Sequence, residues 1–476
     1  MPKIVLIEPR SPNLHIFSKF PSPRLGTVLL GTIMKERGWD VELFVEDFRS
    51  LDFGIIGGAD MVGISTITST APRAYAIAER IRPLGVPVLF GGPHVTFLSE
   101  EALGHGDFVL RGEAEETLPA FLEAWRAGAD LTGIPGLSFR KNGAFVHNPK
   151  AVPPHDLDAF PVADFDLLKP DRRWRNKRMV LPVQTSRGCP FDCTFCSVTG
   201  MFGKTYRFRS TGHILEELRR HSGRKKYLFF YDDNFAAHKP RTKELLEAMI
   251  REGFKFKWTT QVRADVARDP ALVRLMKKAG CHTVCIGFES VNPKSLQESH
   301  KAQSVEELNR AVRVFRRNRI HIHGMFVFGF DQDDRGTVRE TVAWARKHRL
   351  TSSQFLILTP LPGSEFFNKV TKEERIAFKD WSLYDAHHAV FRPRRFSLAE
   401  LQKAQIWGHR KFYSFKEQVR NLLEGRWMAL AINQYARTLN RTWKKRNRTY
   451  LKVLDLLRPR RGSRIRVDYR QDVGLD

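Results

Sequence analysis

Residues 180–198 read VLPVQTSRGCPFDCTFCSV, and this stretch decides how the second half of the chain is interpreted. An apolar run typical of a buried strand leads directly into a loop that carries Cys189, Cys193 and Cys196. Thiolates suit zinc or iron–sulfur clusters, but a structural zinc needs four protein ligands. An iron–sulfur cube usually takes four cysteines as well. Three cysteines in one loop therefore indicate a cube with one iron left open for a small molecule.

On both sides of this loop, strands and helices alternate from residue 179 to residue 365. Amphipathic stretches such as RTKELLEAMIREG separate six apolar runs, each of which predicts a strand. These runs are VLPVQTS, YLFFYDD, KWTTQVRAD, TVCIGFES, HIHGMFVFGF and SQFLILTPLPG. Six strand–helix units in a row predict a partial (β/α)6 TIM-like barrel, with its chemistry at the carboxyl ends of the strands.

Residues 1–126 show a separate alternation of strands and helices. The runs KIVLI, VELFV, DMVGIS, VPVLFGG and DFVLRG predict the strands of a doubly wound, Rossmann-like α/β domain. The region 127–178 is expected to be a linker that contains a hairpin turning at Asn142-Gly143. Residues 366–476 are rich in aromatic and basic side chains and are expected to form a mainly helical C-terminal region.

Composition narrows the class of protein. The 476 residues are 42% hydrophobic and 28% charged, as expected for a globular protein of several domains. An odd number of cysteines, five, excludes a disulfide framework and predicts a cytoplasmic protein, with Cys281 and Cys285 as buried strand residues. No apolar run reaches the roughly 20 residues of a membrane span. The opening MPKIVLIEPRSP predicts a first strand and no signal peptide.

The spacing C-x-x-x-C-x-x-C, with Phe195 before the last cysteine and SRGCP at its start, resembles the signature of radical S-adenosylmethionine (SAM) enzymes. The resemblance implies that Cys189, Cys193 and Cys196 hold a [4Fe-4S] cluster whose open iron is chelated by SAM. It further implies that one electron cleaves SAM to a 5′-deoxyadenosyl radical. At the strand ends, YDDNF, QVRAD, GFES and PLPGSEFF also resemble segments of this family. The SAM-binding residues implied are Phe195, Asp232, Asp233, Asn234, Arg263 and Glu289.

Each of these residues also has an ordinary structural explanation. The run Asp232-Asp233-Asn234 can cap the helix that follows. Arg263 can form a surface salt bridge, and Glu289 can form a buried ion pair with a lysine. No catalytic residue beyond the cofactor ligands is assigned from the sequence.

The first domain lacks a G-x-G-x-x-G after a strand, so a dinucleotide is not expected there. Three segments at strand ends, GISTITST, FGGPHVTF and RGEAEET, resemble the cobalamin-binding domain that precedes many radical SAM barrels. The cobalamin-binding residues implied are Ser65, Thr66, Thr68, Gly91, Gly92, His94, Gly112 and Glu113. The motif D-x-H-x-x-G is missing, so a protein histidine below cobalt is not expected, and His94 is more consistent with stabilising its loop.

The resemblance as a whole is to cobalamin-binding radical SAM enzymes of the class B methyltransferase type, which are related to anaerobic Mg-protoporphyrin monomethyl ester cyclases. It implies methylation of an unactivated carbon of a small-molecule, lipid or tetrapyrrole substrate. A cyclase or rearrangement enzyme without methyl transfer is the first alternative. An RNA methylthiotransferase is disfavoured because no cysteine precedes Cys189. The alternative from another class is a cobalamin- or metal-binding sensor with a basic tail for nucleic acid.

The expected partners follow from this interpretation. The substrate is a small molecule or lipid, and the reductant is a flavodoxin or ferredoxin. The formal net charge of +27 permits contact with nucleic acid or anionic lipid, although solvated helical faces account for it equally well. Nucleic acid is not an expected partner. Aromatic residues beside basic ones in the C-terminal region suit either helix packing or a peripheral membrane contact.

Overall fold

The computed structural model describes residues 1–13, 22–171, 180–223 and 227–457. The last part of the basic C-terminal region, 458–476, lies outside the described residues. Within them, no helix is both long and apolar enough to cross a membrane.

The first sheet has seven strands in the order β2-β1-β3-β4-β5-β6-β7. The strands are β1 (Lys3–Glu8), β2 (Asp40–Val45), β3 (Met61–Ser65), β4 (Val88–Gly91), β5 (Phe108–Leu110), β6 (Leu137–Lys141) and β7 (Ala144–His147). The helices are α1 (Leu25–Glu36), α2 (Phe53–Gly57), α3 (Ala71–Ile81), α4 (Pro93–Phe97), α5 (Ser99–Leu103) and α6 (Thr117–Arg126). Strands β1 to β5 are parallel and have a buried apolar core on each face, as in a doubly wound fold.

The hairpin predicted at Asn142-Gly143 is present as β6 and β7, but it does not lie in a free linker. Strand β6 pairs antiparallel with β5, so that Leu137 lies opposite Leu110. Asn142 has a φ of 53° and Gly143 a φ of 81°, the positive values that a tight two-residue turn requires. Part of the region 127–178 therefore extends the first sheet, because β5 would otherwise leave an unpaired edge.

The second sheet has six parallel strands in the order β15-β14-β13-β12-β11-β8 and forms the partial barrel. The strands of this half, including a two-stranded ribbon of β9 and β10, are β8 (Leu181–Val183), β9 (Ser186–Arg187), β10 (Arg207–Phe208), β11 (Tyr227–Phe230), β12 (Lys257–Val262), β13 (Cys281–Glu289), β14 (His321–Phe328) and β15 (Ser352–Ile357). The helices are α7 (Val198–Phe202), α8 (Thr211–His221), α9 (Lys239–Arg251), α10 (Pro270–Lys278), α11 (Pro293–Glu298), α12 (Val305–Arg317), α13 (Arg335–Lys347) and α14 (Glu365–Lys372). All six apolar runs of the sequence correspond to strands of this sheet.

Aromatic rings from the strands and from α13 pack together on the outer face of the barrel. Phe326 stacks on Phe288 at 5.5 Å and on Phe355 at 5.6 Å, which joins β13, β14 and β15. Trp344 of α13 packs edge-on against Phe288 at 5.2 Å. Phe288, Phe326 and Phe355 are all fully buried, so this layer fixes the helices against the strands and leaves the strand ends free for the site.

Four helices follow in the described C-terminal residues: α15 (Leu398–Phe412), α16 (Phe415–Leu423), α17 (Trp427–Arg446) and α18 (Arg448–Leu456). Helix α15 covers the last strand of the barrel. Tyr413, directly after α15, donates a hydrogen bond to the Ser353 carbonyl at 2.7 Å and accepts one from the Ser353 amide at 2.9 Å. The C-terminal region is thus mainly helical, and its first helix protects the edge of β15.

Buried neutral histidines lie where α15 meets the barrel. The Phe355 amide donates to His409 Nε2 at 3.3 Å, and His323 Nδ1 lies 2.8 Å from Ser352 Oγ. Burial lowers the pKa of His409 to about 3 and that of His323 to about 4. The ordinary pKa of histidine is 6.5. As the pH falls from this value toward the two lowered pKa values, these histidines take up protons in the unfolded chain but remain neutral in the folded chain. The free energy of unfolding is therefore expected to fall as the pH decreases through this window.

Denaturant unfolding at about pH 7 and about pH 5 measures this effect. The His409→Gln variant retains a side chain able to hydrogen-bond but removes one titrating group, so it is expected to lose less stability on acidification than the parent. An identical loss in both proteins would contradict the assignment of His409 as a source of acid sensitivity.

Candidate active site

The cysteine loop, residues 188–198, runs from the β9–β10 ribbon to α7. Gly188 has a φ of 86°, and a Cβ there would lie 2.4 Å from the Thr205 carbonyl oxygen, so only glycine fits. The loop is attached to the barrel through both backbone groups of Thr194. The Thr194 amide donates to the Ser299 carbonyl at 3.3 Å, and the Phe366 amide donates to the Thr194 carbonyl at 2.8 Å. These backbone bonds fix the loop that carries the three thiols.

The three thiols of the loop are half-buried and fit a cluster better than a single metal ion. Burial raises the pKa of Cys196 to about 12 and also raises that of Cys189, so metal binding must displace thiol protons. The other two cysteines, Cys281 and Cys285, are buried within β13. Within the described part of the chain, no three Cys, His, Asp or Glu residues are grouped as ligands of one ion. A cube needs no such convergence, because each cysteine binds a different iron.

Asp232, expected at the SAM site, is a structural anchor of the cysteine loop. Its carboxylate is fully buried, and it accepts hydrogen bonds from the Thr185 amide at 2.9 Å and from Ser186 Oγ at 2.6 Å. Arg241 holds the same turn by donating to Thr185 Oγ1 and to the Thr185 carbonyl, both at 2.8 Å. Asp232 therefore ties the end of β11 to the entrance of the loop.

Asp233 and Asn234 differ from Asp232 because they retain free polar atoms. Burial, reinforced by the Asp232 charge, raises the pKa of Asp233 to about 7. The charge of the Asp233 carboxylate contributes to raising the pKa of Cys189 and of Cys196. Asn234 is buried, and its Oδ1 has no hydrogen-bond partner in the described structure. A buried acceptor left without a donor is costly, so this atom is suited to receive one from a ligand.

Arg263 follows β12 and reaches the cysteine loop. Its guanidinium lies 3.7 Å from the centre of the Phe191 ring and donates to the Lys301 carbonyl. Arg263 is buried, so the surface salt bridge considered above does not describe it, although Asp265 lies 3.9 Å from its Nε. That Nε has no hydrogen-bond partner among the described residues. One donor of the guanidinium is therefore available to a carboxylate.

Glu289 forms the buried ion pair with a lysine that was considered above. Lys301 Nζ lies 2.9 Å from Glu289 Oε1, and both residues are buried. Glu289 has a φ of 59°, a costly value for a residue other than glycine, and the register with β14 shifts at this point. A Cβ at Gly287 would lie 2.3 Å from Glu289 Oε1. The chain thus makes room for this carboxylate at the end of β13.

Phe195 packs edge-on against Phe330 with 6.1 Å between ring centres, and it is partly buried on the barrel core. PLPGSEFF covers the far side of the loop. A Cβ at Gly200 of α7 would lie 2.5 Å from the Gly363 carbonyl oxygen, and one at Gly363 would lie 2.3 Å from the Phe97 ring. These two glycines allow the loop, the end of the barrel and the first domain to approach closely.

A cavity of about 1150 Å³, including its open mouth, lies between the ends of the first sheet and the barrel. The barrel contributes Gln184, Arg187 and Tyr231 to the wall of this cavity. Gly26 and Gly112 also line it, and a Cβ at either would meet no protein atom within 4 Å. Glycines that leave such space let a ligand approach the backbone closely, so this wall suits the binding of a large ligand.

The residues expected to bind cobalamin separate into two sets. Those on the wall of the cavity are Ser65, Gly91, Gly92, Gly112 and Glu113. Thr66, Thr68 and His94 are buried behind it. Thr66 Oγ1 donates to the Gly91 carbonyl at 3.0 Å, and a Cβ at Gly92 would lie 2.4 Å from the Thr66 carbonyl oxygen. Thr66 therefore shapes the wall from behind.

His94 contacts the C-terminal region and not the cavity. It is fully buried, its Nε2 lies 3.5 Å from Glu101 Oε1, and its ring centre lies 5.1 Å from that of Trp381. Trp381 Nε1 donates to the same carboxylate at 2.9 Å. This packing agrees with a histidine that stabilises its loop.

Sequence reasoning missed a buried network of four charges between the domains. Arg187, which precedes the cysteine loop, lies 2.6 Å from Glu113 and 2.5 Å from Glu115. Arg207 also pairs with Glu113, at 3.1 Å through Nη1. All four side chains are buried. The sequence contains these charges as two of the three glutamates of RGEAEET, the arginine of SRGCP and Arg207, but only the fold shows that they meet.

Two further residues of the cavity were not singled out as binding residues. Arg24 donates to the Ser65 carbonyl at 3.2 Å, and its Nε lies 3.7 Å from Glu8. Tyr231 lies on the wall of the cavity. It also directly precedes Asp232, the residue that ties the end of β11 to the entrance of the cysteine loop. Its position as the first residue after β11 is the signal that could have identified it.

Comparisons with known proteins agree with this geometry. The chain matches the family model of the radical SAM superfamily over residues 183–345 and that of the B12 binding domain over residues 17–122. It is 31% identical over 404 residues to an uncharacterized methyltransferase of Pyrococcus horikoshii, with 82% of this chain and 88% of that protein covered. It is 30% identical over 421 residues to the bacteriochlorophyllide d C-12(1)-methyltransferase of Chlorobaculum tepidum, with 86% and 87% covered.

Among solved structures, the radical SAM methyltransferase TsrM of Kitasatospora setae, with cobalamin and a [4Fe-4S] cluster bound, shares the fold. The TM-score is 0.69 at 19% identity, with 78% of each chain covered. Fold and site together define a radical SAM enzyme that carries a cobalamin-binding domain. More narrowly, the chain belongs to the cobalamin-dependent radical SAM family that contains methyltransferases. Its cofactors are a [4Fe-4S] cluster, SAM and cobalamin.

Proposed function

We propose that this enzyme methylates an unactivated carbon of an apolar, ring-containing substrate such as a tetrapyrrole or a cyclic lipid. The main support for this proposal is a single cavity that is lined by residues at the strand ends of both the first sheet and the barrel. Ser65 and Gly91 line it from the first sheet, and Gln184 and Tyr231 line it from the barrel. The relative from Chlorobaculum tepidum, named for methylation of a bacteriochlorophyllide, supports a substrate of this chemical class.

The cysteine loop is the proposed cluster site. Cys189, Cys193 and Cys196 would hold three irons of the cube, and the hydrogen-bonded backbone of the loop would keep the three thiolates in place. When bound, the cluster with SAM supplies a 5′-deoxyadenosyl radical, and cobalamin supplies the methyl group. The chain itself orients these groups and excludes water from them.

Polar atoms without partners near the loop are the proposed contacts to SAM. Arg263 Nε can donate to the SAM carboxylate, and Asn234 Oδ1 can accept from its amino group or ribose. Glu289 is held in place by Lys301 and offers a second carboxylate oxygen. Asp232 is fully used in holding the loop, so its proposed role is to position the cluster site and not to touch SAM.

The cavity wall is the proposed cobalamin site. The space beside Gly26 and Gly112 would admit the edge of the corrin ring, with Arg24 and Ser65 as polar neighbours. Tyr231 lies on the wall beside the cysteine loop, so it would border the substrate between the two cofactors. The electron is expected from a flavodoxin or ferredoxin, acidic carriers that suit a chain with a net charge of +27.

Incubation with SAM that carries a deuterated methyl group tests the proposed reaction. The anaerobic holoenzyme would be supplied with reductant and with a lipid and pigment extract of the source organism. We expect one extract component to gain a labelled methyl group, detected by mass, together with 5′-deoxyadenosine. A product that forms with 5′-deoxyadenosine but gains no label would refute methyl transfer and favour cyclisation or rearrangement.

A further inference from the structure

Helix α16 presents an apolar face that no described part of the chain covers. The exposed fractions are 66% for Phe415, 39% for Val419, 49% for Leu422 and 81% for Leu423. Their spacing of four, three and one places them on one side of the helix. Trp427, at the start of α17, adds a ring that is 66% exposed. We call these five residues the α16 face. An apolar patch of this kind on a globular protein usually marks an interaction surface.

The surroundings of the α16 face are strongly basic. Residues 410–448 contain eleven lysines and arginines but only two acidic residues, Glu417 and Glu424. Both acids are already neutralised, because Glu417 lies 2.7 Å from Arg346 and Glu424 lies 3.4 Å from Arg420. Within the described residues 410–448, the surface around the apolar face therefore carries an excess of positive charge.

A cavity of about 1280 Å³, including its open mouth, lies between α15 and α17 beside this face. Its basic lining residues are Arg410, Arg437, Arg441 and Lys444, and none of the described residues that line it is acidic. The Arg437 guanidinium lies 5.4 Å from the centre of the Phe415 ring, which joins the cavity to the α16 face. The cavity is thus suited to an anion that approaches along the apolar face.

A second observation in this cavity points to a ligand. Trp443 lines the cavity and is 7% exposed, and its Nε1 has no hydrogen-bond partner among the described residues. A buried indole donor normally finds an acceptor. The phosphate oxygens of a lipid headgroup would supply one.

We propose that the enzyme docks on an anionic lipid bilayer through the α16 face, with a lipid phosphate in the cavity between α15 and α17. An exposed apolar helix face that ends in a tryptophan and is flanked by basic residues is the pattern of helices that lie in a membrane interface. A second copy of the chain is a poorer occupant, because it would bring two unbalanced positive surfaces together. This surface is separate from the cysteine loop, and the inference does not rest on the proposed methyl transfer.

Flotation of the full chain with vesicles tests the docking. We expect the protein to float with vesicles of phosphatidylglycerol and phosphatidylcholine but not with vesicles of phosphatidylcholine alone, and to be released by high salt. The double variant Leu422→Asp/Leu423→Asp is expected to bind at least about tenfold more weakly, since it removes apolar contact and adds repulsion. Arg441→Glu/Lys444→Glu, in the cavity wall, is expected to weaken binding to a similar degree.

Val152→Asp is the matched control, because Val152 is 83% exposed and lies far along the chain from α16. It should float as the parent does. Equal thermal unfolding of all variants would show that lost binding does not reflect lost folding. No flotation with the anionic vesicles, or an equal loss in Val152→Asp, would overturn the proposal. So would a dimer in solution that the Leu422→Asp/Leu423→Asp variant converts to a monomer, because the face would then serve self-association.

Discussion

The Cys193→Ala variant is expected to lose its cluster and its ability to cleave SAM. The parent should carry about four irons per chain after anaerobic reconstitution, and the variant close to none, because two thiolates cannot hold the cube firmly. Neither of the other two cysteines is expected to replace the missing ligand, since Cys281 and Cys285 are buried in β13. Iron analysis, the visible absorbance of the cluster and 5′-deoxyadenosine formation would measure the loss.

Cys285→Ala is the matched control for this experiment. It also removes a thiol, but from the interior of β13, where Cys285 is 6% exposed. We expect it to retain the iron content of the parent and to lose about 1 kcal/mol of folding stability at most, the usual effect of a small cavity. An equal loss of iron in both variants, or no loss in Cys193→Ala, would contradict the assignment of the cysteine loop.

The Glu113→Ala variant is expected to be destabilised by about 3–5 kcal/mol, because it leaves the buried Arg207 without its carboxylate partner and leaves Arg187 with Glu115 alone. The same change should disturb the cysteine loop, since Arg187 immediately precedes Gly188. Denaturant unfolding would measure the stability. The iron content and electron paramagnetic resonance signal of the reduced cluster would report on the loop.

Glu116→Ala is the comparison for this prediction. Glu116 is exposed, lies three residues further along the same segment and makes no capping hydrogen bond at the start of α6. Its replacement should change the stability by less than about 0.5 kcal/mol. If Glu113→Ala and Glu116→Ala unfold at the same denaturant concentration, the four-charge network does not stabilise the contact between the domains.

Much of the fold could be predicted because its signals are local. The six apolar runs of the barrel and the five of the first domain each correspond to a strand, since a parallel strand buried on both faces must be apolar throughout. The hairpin at Asn142-Gly143 was also readable from its turn residues. Its pairing with β5 was not, because a short segment does not reveal which sheet edge it will cover.

The individual site residues were harder to interpret than the cysteine motif. The sequence predicted the same SAM-binding role for Asp232, Asp233 and Asn234. Only the structure shows that the Asp232 carboxylate is hydrogen-bonded to Thr185 and Ser186. Asn234 Oδ1, by contrast, has no hydrogen-bond partner among the described residues. Likewise, Glu113 was expected at the cobalamin site. The structure shows it on the cavity wall and also in a buried ion pair with Arg187, 74 residues away. Such long-range contacts leave no periodic signal in one sequence.

The same contacts explain how two cofactor sites can act together. Glu113 and Glu115 follow β5 of the first sheet, and Arg187 ends β9 directly before the cysteine loop. Their ion pairs therefore connect the end of β5 to the start of the cysteine loop. Phe97 of the first domain also packs on Gly363 at the end of the barrel. The cavity between the edges is therefore shaped by contacts that belong to both domains.

The most direct test of the account is SAM cleavage by the anaerobically reconstituted full chain. Loaded with iron, sulfide and cobalamin and then reduced, the protein is expected to bind about one cobalamin per chain and to convert SAM to 5′-deoxyadenosine. Protein that takes up cobalamin and iron in these amounts, yet leaves SAM intact under reduction, would contradict the central claim that this chain is a radical SAM enzyme.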